Sequence, residues 1–256
     1  MSVNPKSRAG ADVVDPAVVD FGAVAAWMDT QELPSGPVER VAPISGGTQN
    51  VLLRFERGGR AYVLRRGPEH LRPRSNDSLR REIRVLQALS ATLVPHPRLL
   101  AACLDETVLD GAVFYLMEPV EGFNATVGIP ATYASEAPLR HRMGLAAADA
   151  LAALGSVDHR SVGLAGLGRP EGFLQRQVPR WLAELESYDR LPGYPGPDLP
   201  GLQQVADWLE RNRPADWIPG IMHGDYHLAN VLYAYEQPRI AAIVDWGMCT
   251  IGDPLL

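Results

Sequence analysis

The stretch HGDYHLANVLY, residues 223–233, decides how this sequence is read. Two His, one Asp and one Asn fall within its first eight residues, and an apolar run follows. Three chemistries fit that composition. A metal cage would use His223, Asp225, His227 and Asp245, but no further His elsewhere completes a zinc-type set. A capped turn before a strand needs only the local hydrogen bonding of Asp and Asn. A phosphoryl-transfer loop needs a carboxylate to take a hydroxyl proton, with an Asn and a second carboxylate to hold Mg²⁺ on a nucleotide.

The second acidic stretch, IAAIVDWGMCTIGDP at 240–254, bears on that choice. Asp225 precedes Asn230 by five positions, and Asp245 follows a second apolar run. Mg²⁺ takes a few hard oxygen ligands from protein and leaves its other sites to water and phosphate. Asn230 and Asp245 are ligands of that kind.

Working outward, 256 residues suffice for one large domain or two lobes around a cleft. Hydrophobic residues make up 46% and charged residues 21%, which are globular values. The formal charge of −6 argues against a broad nucleic-acid surface. Cys103 and Cys249 form neither a zinc pattern nor a disulfide framework, so a reducing cytoplasm is expected. No run approaches the ~20 apolar residues of a membrane span. Residues 1–14 read as a disordered leader without the apolar core of a signal peptide. Lys6 is the only lysine, so any cation fixed in a site must be arginine.

Asp15-Pro16 predicts a helix start, with the helix running to about Met28. β-rich runs follow at 38–45, 50–57 and 60–66, with Gly58-Gly59 as a hairpin turn. Helical spacing covers 78–93, with Ser78 as N-cap, and strands are expected in HPRLLAACLDE and AVFYLMEPV. Beyond Gly122, helices are expected at 136–154, 171–187 and 202–211, with short strands in NVLYAY and RIAAIVDW. The pattern is α+β: an antiparallel sheet with one helix, then a mainly helical half. The expected divisions are 1–14 leader, 15–118 sheet-and-helix lobe, 119–122 hinge and 123–256 mainly helical lobe.

HGDYHLAN followed by IVDWG resembles the catalytic loop and metal motif of the protein-kinase-like fold, in its aminoglycoside phosphotransferase and choline kinase branch. VLRRGP, GRPEGFLQRQVPRW and DWGMCTIGDPLL resemble the bacterial group related to the kinase-like domain of acyl-CoA dehydrogenase fusions. The likeness runs from about Val38 to Leu256. It implies a two-lobed small-molecule kinase using ATP and Mg²⁺. Asp225 would orient and deprotonate the acceptor hydroxyl, Asn230 and Asp245 would bind Mg²⁺, and His227 could donate to the γ-phosphate. His223 would brace the loop, and Asp253 would steady the segment after the metal motif.

In the first half, the turn ISGGTQN would cover the phosphates. Gly46 and Gly47 permit close backbone approach, and Thr48 and Asn50 complete the site; a plain hairpin is the alternative. The family commonly has lysine on the third strand. Here Arg65 takes that place by the VLR pattern, held by Glu82. In YLMEPVEG, Pro119 has no N–H. Glu118 would offer its carbonyl and Val120 its N–H to adenine, with Met117 lining the pocket. Trp181, Trp208 and Trp217 are expected to pack between helices, and Arg176 and Arg180 to lie on a solvated face or reach an anionic substrate.

The acceptor implied is a small hydroxyl compound, a hydroxyacyl-CoA or hydroxy acid, with an aminoglycoside as runner-up; nucleic acid and membrane are not expected partners. Gly247 stands where this group more often has an acidic residue. Relatives continue through further helices, so the catalytic half is expected to be incomplete, with an exposed apolar patch. A nucleotide-binding module without turnover is the reading from a different class.

Overall fold

The computed structural model describes residues 15–44 and 50–255. The leader 1–14 and the turn residues Gly46, Gly47 and Thr48 lie outside the described residues. The chain divides into two compact units, residues 1–150 with 225–248, and residues 151–224 with 249–256.

The first unit begins with two capped turns where the sequence predicts one helix. Asp15 caps a 3-10 turn, Pro16–Val18, and Asp20 then starts α1, Phe21–Asp29. Asp20 Oδ1 accepts from the N–H groups of Gly22 and Ala23 at 2.8 and 3.1 Å, so the helix starts at this second cap.

Five antiparallel strands follow: β1 Val38–Pro43, β2 Val51–Arg57, β3 Arg60–Arg66, β4 Leu99–Cys103 and β5 Phe114–Met117. Their order in the sheet is β1-β2-β3-β5-β4. Gly58 and Gly59 make the β2–β3 turn with φ of 57° and 74°, the left-handed region that a two-residue hairpin of this hand requires.

Side-chain alternation sorts this sheet into two faces. Leu53, Phe55, Tyr62, Leu64, Phe114 and Leu116 pack with Val24 and Met28 of α1 in one core. Phe21 meets Phe55 edge-on, and Trp27 meets Phe114 in the same way. Each fully buried side chain of this size contributes about 1.5–3 kcal/mol. The opposite face carries Val63, Arg65, Tyr115 and Met117, on the alternate positions of β3 and β5.

Helix α2, Ser75–Leu89, buries Leu79, Glu82, Ile83, Val85, Leu86 and Leu89. It starts earlier than the predicted cap at Ser78, because Arg74 turns the chain with φ of 70° and Ser75 Oγ accepts from the Arg72 N–H. It also ends earlier. The hydroxyls of Ser90 and Thr92 donate to the carbonyls of Gln87 and Leu89, competing for the acceptors another turn would use.

After β5 come α3, Ala131–Ser135, which the sequence reading lacks, and α4, Ala137–Gly155. The first unit resumes at Asp225 with a hairpin of β7, Val231–Tyr233, and β8, Ile240–Ile243, which pair antiparallel from Val231↔Ile243.

The second unit holds α5, Phe173–Ser187, α6, Leu202–Arg211, and two three-residue strands, β6 Gly220–Met222 and β9 Thr250–Gly252. These strands pair Gly220↔Gly252, and neither is long enough to show alternation in the sequence. A Cβ on Gly252 would come within 2.5 Å of the Phe173 ring, so this strand needs a residue without a side chain. Trp181 and Trp208 are 62% and 56% exposed, which corrects their expected helix-packing role. Trp181, seven positions from buried Leu174, shares its face of α5 without being covered, whereas Trp208, two positions from buried Ala206, stands on the other side of α6.

Candidate active site

The β7–β8 register builds the chemistry-bearing end of the first unit. With Val231 opposite Ile243, the residues just outside the pair are Asn230 and Val244. The Val244 N–H donates to the Asn230 carbonyl at 2.9 Å, which extends the ladder by one bond and brings Asn230 beside the Val244–Asp245 segment. Two motifs separated in sequence meet because of this hairpin.

Asn230 is 9% exposed and terminates a 3-10 turn, Leu228–Asn230. Its Nδ2 donates to the carbonyl and to Oδ2 of Asp225, each at 2.9 Å. With the amide nitrogen committed to Asp225, Oδ1 is the atom left for a cation. His227 caps the same turn: its Nδ1 accepts from the Ala229 N–H at 3.2 Å. In the neutral ring that bond puts the proton on Nε2, which lies 3.4 Å from Asp225 Oδ1. Tyr226, between them, donates to the Ala147 carbonyl of α4 at 2.6 Å, and burial pushes its phenol up to about 12.

Arg65 and Arg66 point to opposite faces. Arg66 Nη1 donates to the Val18 carbonyl at 3.1 Å, on the α1 side. Arg65, 7% exposed, has Nε 2.9 Å from Glu82 Oε2 and Nη2 2.6 Å from Asp245 Oδ1. Burial works against the Arg65 charge, yet Glu82, Tyr115 and Asp245 hold its pKa above the ordinary arginine value. Burial raises Glu82 as well, although Arg65 pulls the other way. The second oxygen of Glu82 accepts from the Trp246 N–H at 3.1 Å, so one carboxylate ties α2 to β3 and to the residue after Asp245. Glu82 is therefore an internal partner of Arg65 and not an exposed partner of its helix neighbours.

Asp245 adopts φ of 67°, an uncommon conformation for a residue with a Cβ. Such a strained residue persists only when its surroundings over-determine it, and here the Arg65 bond and the Val244 and Trp246 backbone bonds do so. Gly247 follows at a close approach to α2: a Cβ there would come 3.0 Å from Ser78 Oγ. That contact supplies a reason for glycine where the sequence resemblance anticipates an acidic residue.

A cleft of about 320 Å³ opens over these groups, lined by Val63, Leu86, Met117, Glu118, Val120, Asn230, Asp245 and their neighbours. Its size is that of a small-ligand pocket. At the 117–120 edge, the Glu118 N–H donates to the Arg98 carbonyl at 2.9 Å, and Pro119 has none, so Val120 supplies the donor that faces no protein acceptor among the described residues. The Glu118 carboxylate lies 2.6 Å from Arg60 Nη2, a half-exposed pair. Asn50, at a bend before β2, is not among the residues that line this cleft.

The oxygen set fits a magnesium-type ion: one carboxylate from Asp245 and one amide oxygen from Asn230 leave sites for water and phosphate. Among the described residues no group of three or more His, Cys, Asp or Glu could hold a metal, which tells against the zinc cage. The second unit holds a larger cavity of about 600 Å³ between α5 and α6. It is mostly apolar and carries none of Arg65, Glu82, Asp225, Asn230 and Asp245; Asp253 lines it, with Oδ1 accepting from the Leu255 N–H at 3.0 Å, so the smaller cleft is the candidate site. Arg176 is spent on the carbonyls of Arg169 and Glu171.

Sequence reasoning missed Tyr115, whose hydroxyl bonds Glu82 and whose pKa burial raises well above the ordinary value. Alternation from Met117 along β5 was the signal for it.

Comparison with known proteins covers most of the chain. The sequence matches the family model described as "Phosphotransferase enzyme family" over residues 40–256. Acyl-CoA dehydrogenase family member 11 of Gallus gallus is 32% identical over 223 residues, covering 87% of this chain and 27% of that protein. The chain thus spans under a third of that relative's length. A Ralstonia eutropha protein, provisionally assigned as an aminoglycoside phosphotransferase, superposes with a TM-score of 0.75 at 30% identity, covering 93% of this chain and 67% of the other. A thermostable mutant of aminoglycoside phosphotransferase APH(4)-Ia, in ternary complex with ADP and hygromycin B, gives a TM-score of 0.58 at 17% identity, over 91% and 74% of the two chains, a likeness of fold alone.

Proposed function

This chain belongs to the phosphotransferase enzyme family, and from that membership we propose that it is a small-molecule kinase that moves the γ-phosphoryl group of ATP to an acceptor hydroxyl. The observation that carries this reading is the meeting of Asn230 with Asp225 and with the Val244–Asp245 segment, in a cleft where Arg65 bonds Asp245.

Residues 15–118 would form the nucleotide-binding lobe, 119–122 the hinge and 123–256 the catalytic lobe. Val120 N–H and the Glu118 carbonyl would take adenine, with Met117 against its plane. Gly46, Gly47 and Thr48 would close over the phosphates, with Arg65 as their fixed cation and Glu82 as its support. Bound Mg²⁺ would supply charge neutralisation on the phosphates, held by Asp245 and Asn230. Asp225 would accept the hydroxyl proton as the acceptor oxygen attacks, and His227 Nε2–H would steady its carboxylate. Catalysis on this scheme is positioning plus charge stabilisation.

The acceptor class rests on kinship with acyl-CoA dehydrogenase family member 11, which favours a hydroxyacyl-CoA or a related hydroxy acid. The Ralstonia eutropha neighbour keeps an amino sugar as the second candidate. No helix among the described residues is long and apolar enough to cross a membrane, and a cytoplasmic setting is part of the proposal.

The test is mass spectrometry of reactions containing the protein, MgATP and either hydroxyacyl-CoAs or aminoglycosides. The reading expects a phosphorylated acyl-CoA product. A phosphorylated amino sugar alone would move the acceptor to the second candidate. Nucleotide binding with no transfer to any alcohol would make the chain a binding module.

A further inference from the structure

The loop that carries Asn230 is held by a residue outside every motif. Asn124 lies two residues past Gly122 and lines the same cleft. Its Nδ2 donates to the Ala229 carbonyl at 2.7 Å, across 105 positions of sequence. The amide orientation follows from its other end: Oδ1 accepts from the Thr126 N–H at 2.9 Å and from Thr126 Oγ1 at 2.6 Å, so Nδ2 must face Ala229.

The peptide unit joining Ala229 to Asn230 is planar and rigid. Its carbonyl is held by Asn124, and its N–H, that of Asn230, donates to the His227 carbonyl at 2.9 Å. Both polar ends of one plane are thus bonded, and the Asn230 side chain leaves from that plane. Asn124 is itself fixed, because neighbouring Phe123 exchanges two backbone bonds with Tyr233 of β7, at 2.8 and 2.9 Å.

We infer that Asn124 is a positioning residue for the metal-holding loop: it sets the 229–230 peptide so that Asn230 Oδ1 meets the cation on a bound nucleotide. The inference rests on the kinase reading and deepens it. Asn124 touches the loop and not the reacting atoms, so its loss should weaken the metal's contribution to nucleotide binding more than nucleotide binding itself.

Asn124→Asp keeps the acceptor for Thr126 and removes the donor to Ala229. Titration calorimetry with AMP-PNP, with and without Mg²⁺, separates the two effects. The expected result is a metal-free affinity within about twofold of wild type, and a Mg²⁺-dependent gain in affinity reduced roughly three- to tenfold, the effect of one lost hydrogen bond. Asn124→Ser, too short to reach Ala229, should give the same pattern and serves if the Asp variant does not fold. A full Mg²⁺ gain in both variants would overturn the inference, as would equal losses of affinity with and without metal. Absence of AMP-PNP binding by the wild type would instead count against the kinase reading itself.

Discussion

Arg65 Nη2 lies 2.6 Å from Asp245 Oδ1, while its Nε lies 2.9 Å from Glu82. One planar guanidinium therefore spans two carboxylates that come from α2 and from the turn after β8. A lysine at this position has a single nitrogen and cannot repeat that two-point geometry. The chain has no lysine in its described residues, and the bridge is built from the cation it does have.

Breaking the bridge should therefore cost stability. Arg65→Ala leaves Glu82 buried without its partner and should destabilise the protein by about 3–5 kcal/mol, read by denaturant unfolding. Arg65→Lys should lose less, because the charge remains near Glu82. Equal stability of the alanine variant and the wild type would show that the ion pair is dispensable.

Asp225 should matter to transfer and not to binding. Asp225→Asn is expected to leave MgAMP-PNP affinity within about threefold of wild type and to lower phosphoryl transfer by about 10²- to 10⁴-fold. Single-turnover assays with the acceptor that the wild type phosphorylates check this. Undiminished transfer would remove Asp225 from the proton-accepting role.

Asp245 should make nucleotide affinity depend on metal. EDTA is expected to weaken AMP-PNP binding to the wild type, and Asp245→Asn should bind AMP-PNP about equally with and without Mg²⁺. Asp245 is about half exposed, so its ion pair with Arg65 should add under about 1 kcal/mol to stability, and the variant should stay folded. A variant that still gained affinity from Mg²⁺ would move the cation elsewhere.

Gly252 gives a purely structural test. A Cβ at this position would approach Phe173 Cζ to 2.5 Å. Gly252→Ala should lower stability by about 1–3 kcal/mol through overpacking, and Phe173→Leu in the same chain should recover part of it. Thermal melts of the single and double variants decide the matter; additive losses would mean that the Phe173 ring is not what the methyl group meets.

Much of this protein was legible before any coordinates. Glycines at 58 and 59 between two β-rich runs mark a hairpin because few other residues reach the required φ. Helix α6 occupies Leu202–Arg211, the span its apolar spacing predicts. The order of Asp225, Asn230 and Asp245 likewise directs attention to one kind of chemistry. Local rules carry such features, since each depends on residues a few positions apart.

Other features were decided only when distant segments met. Alternation says that Arg65 and Arg66 face opposite ways, but the pairing of β3 with β2 and β5 is what turns Arg65 toward Glu82. The three-residue strands β6 and β9 have no period to read; each exists because the other satisfies its backbone. Nothing around Asn124 announces that it reaches Ala229, because a side-chain amide donating to a remote carbonyl leaves no spacing in the chain. The sequence by itself determined which chemical groups are present and which stretches are strand, turn or helix. Tertiary structure decided which of those groups share a hydrogen bond, since that depends on register and burial between segments a hundred or more positions apart.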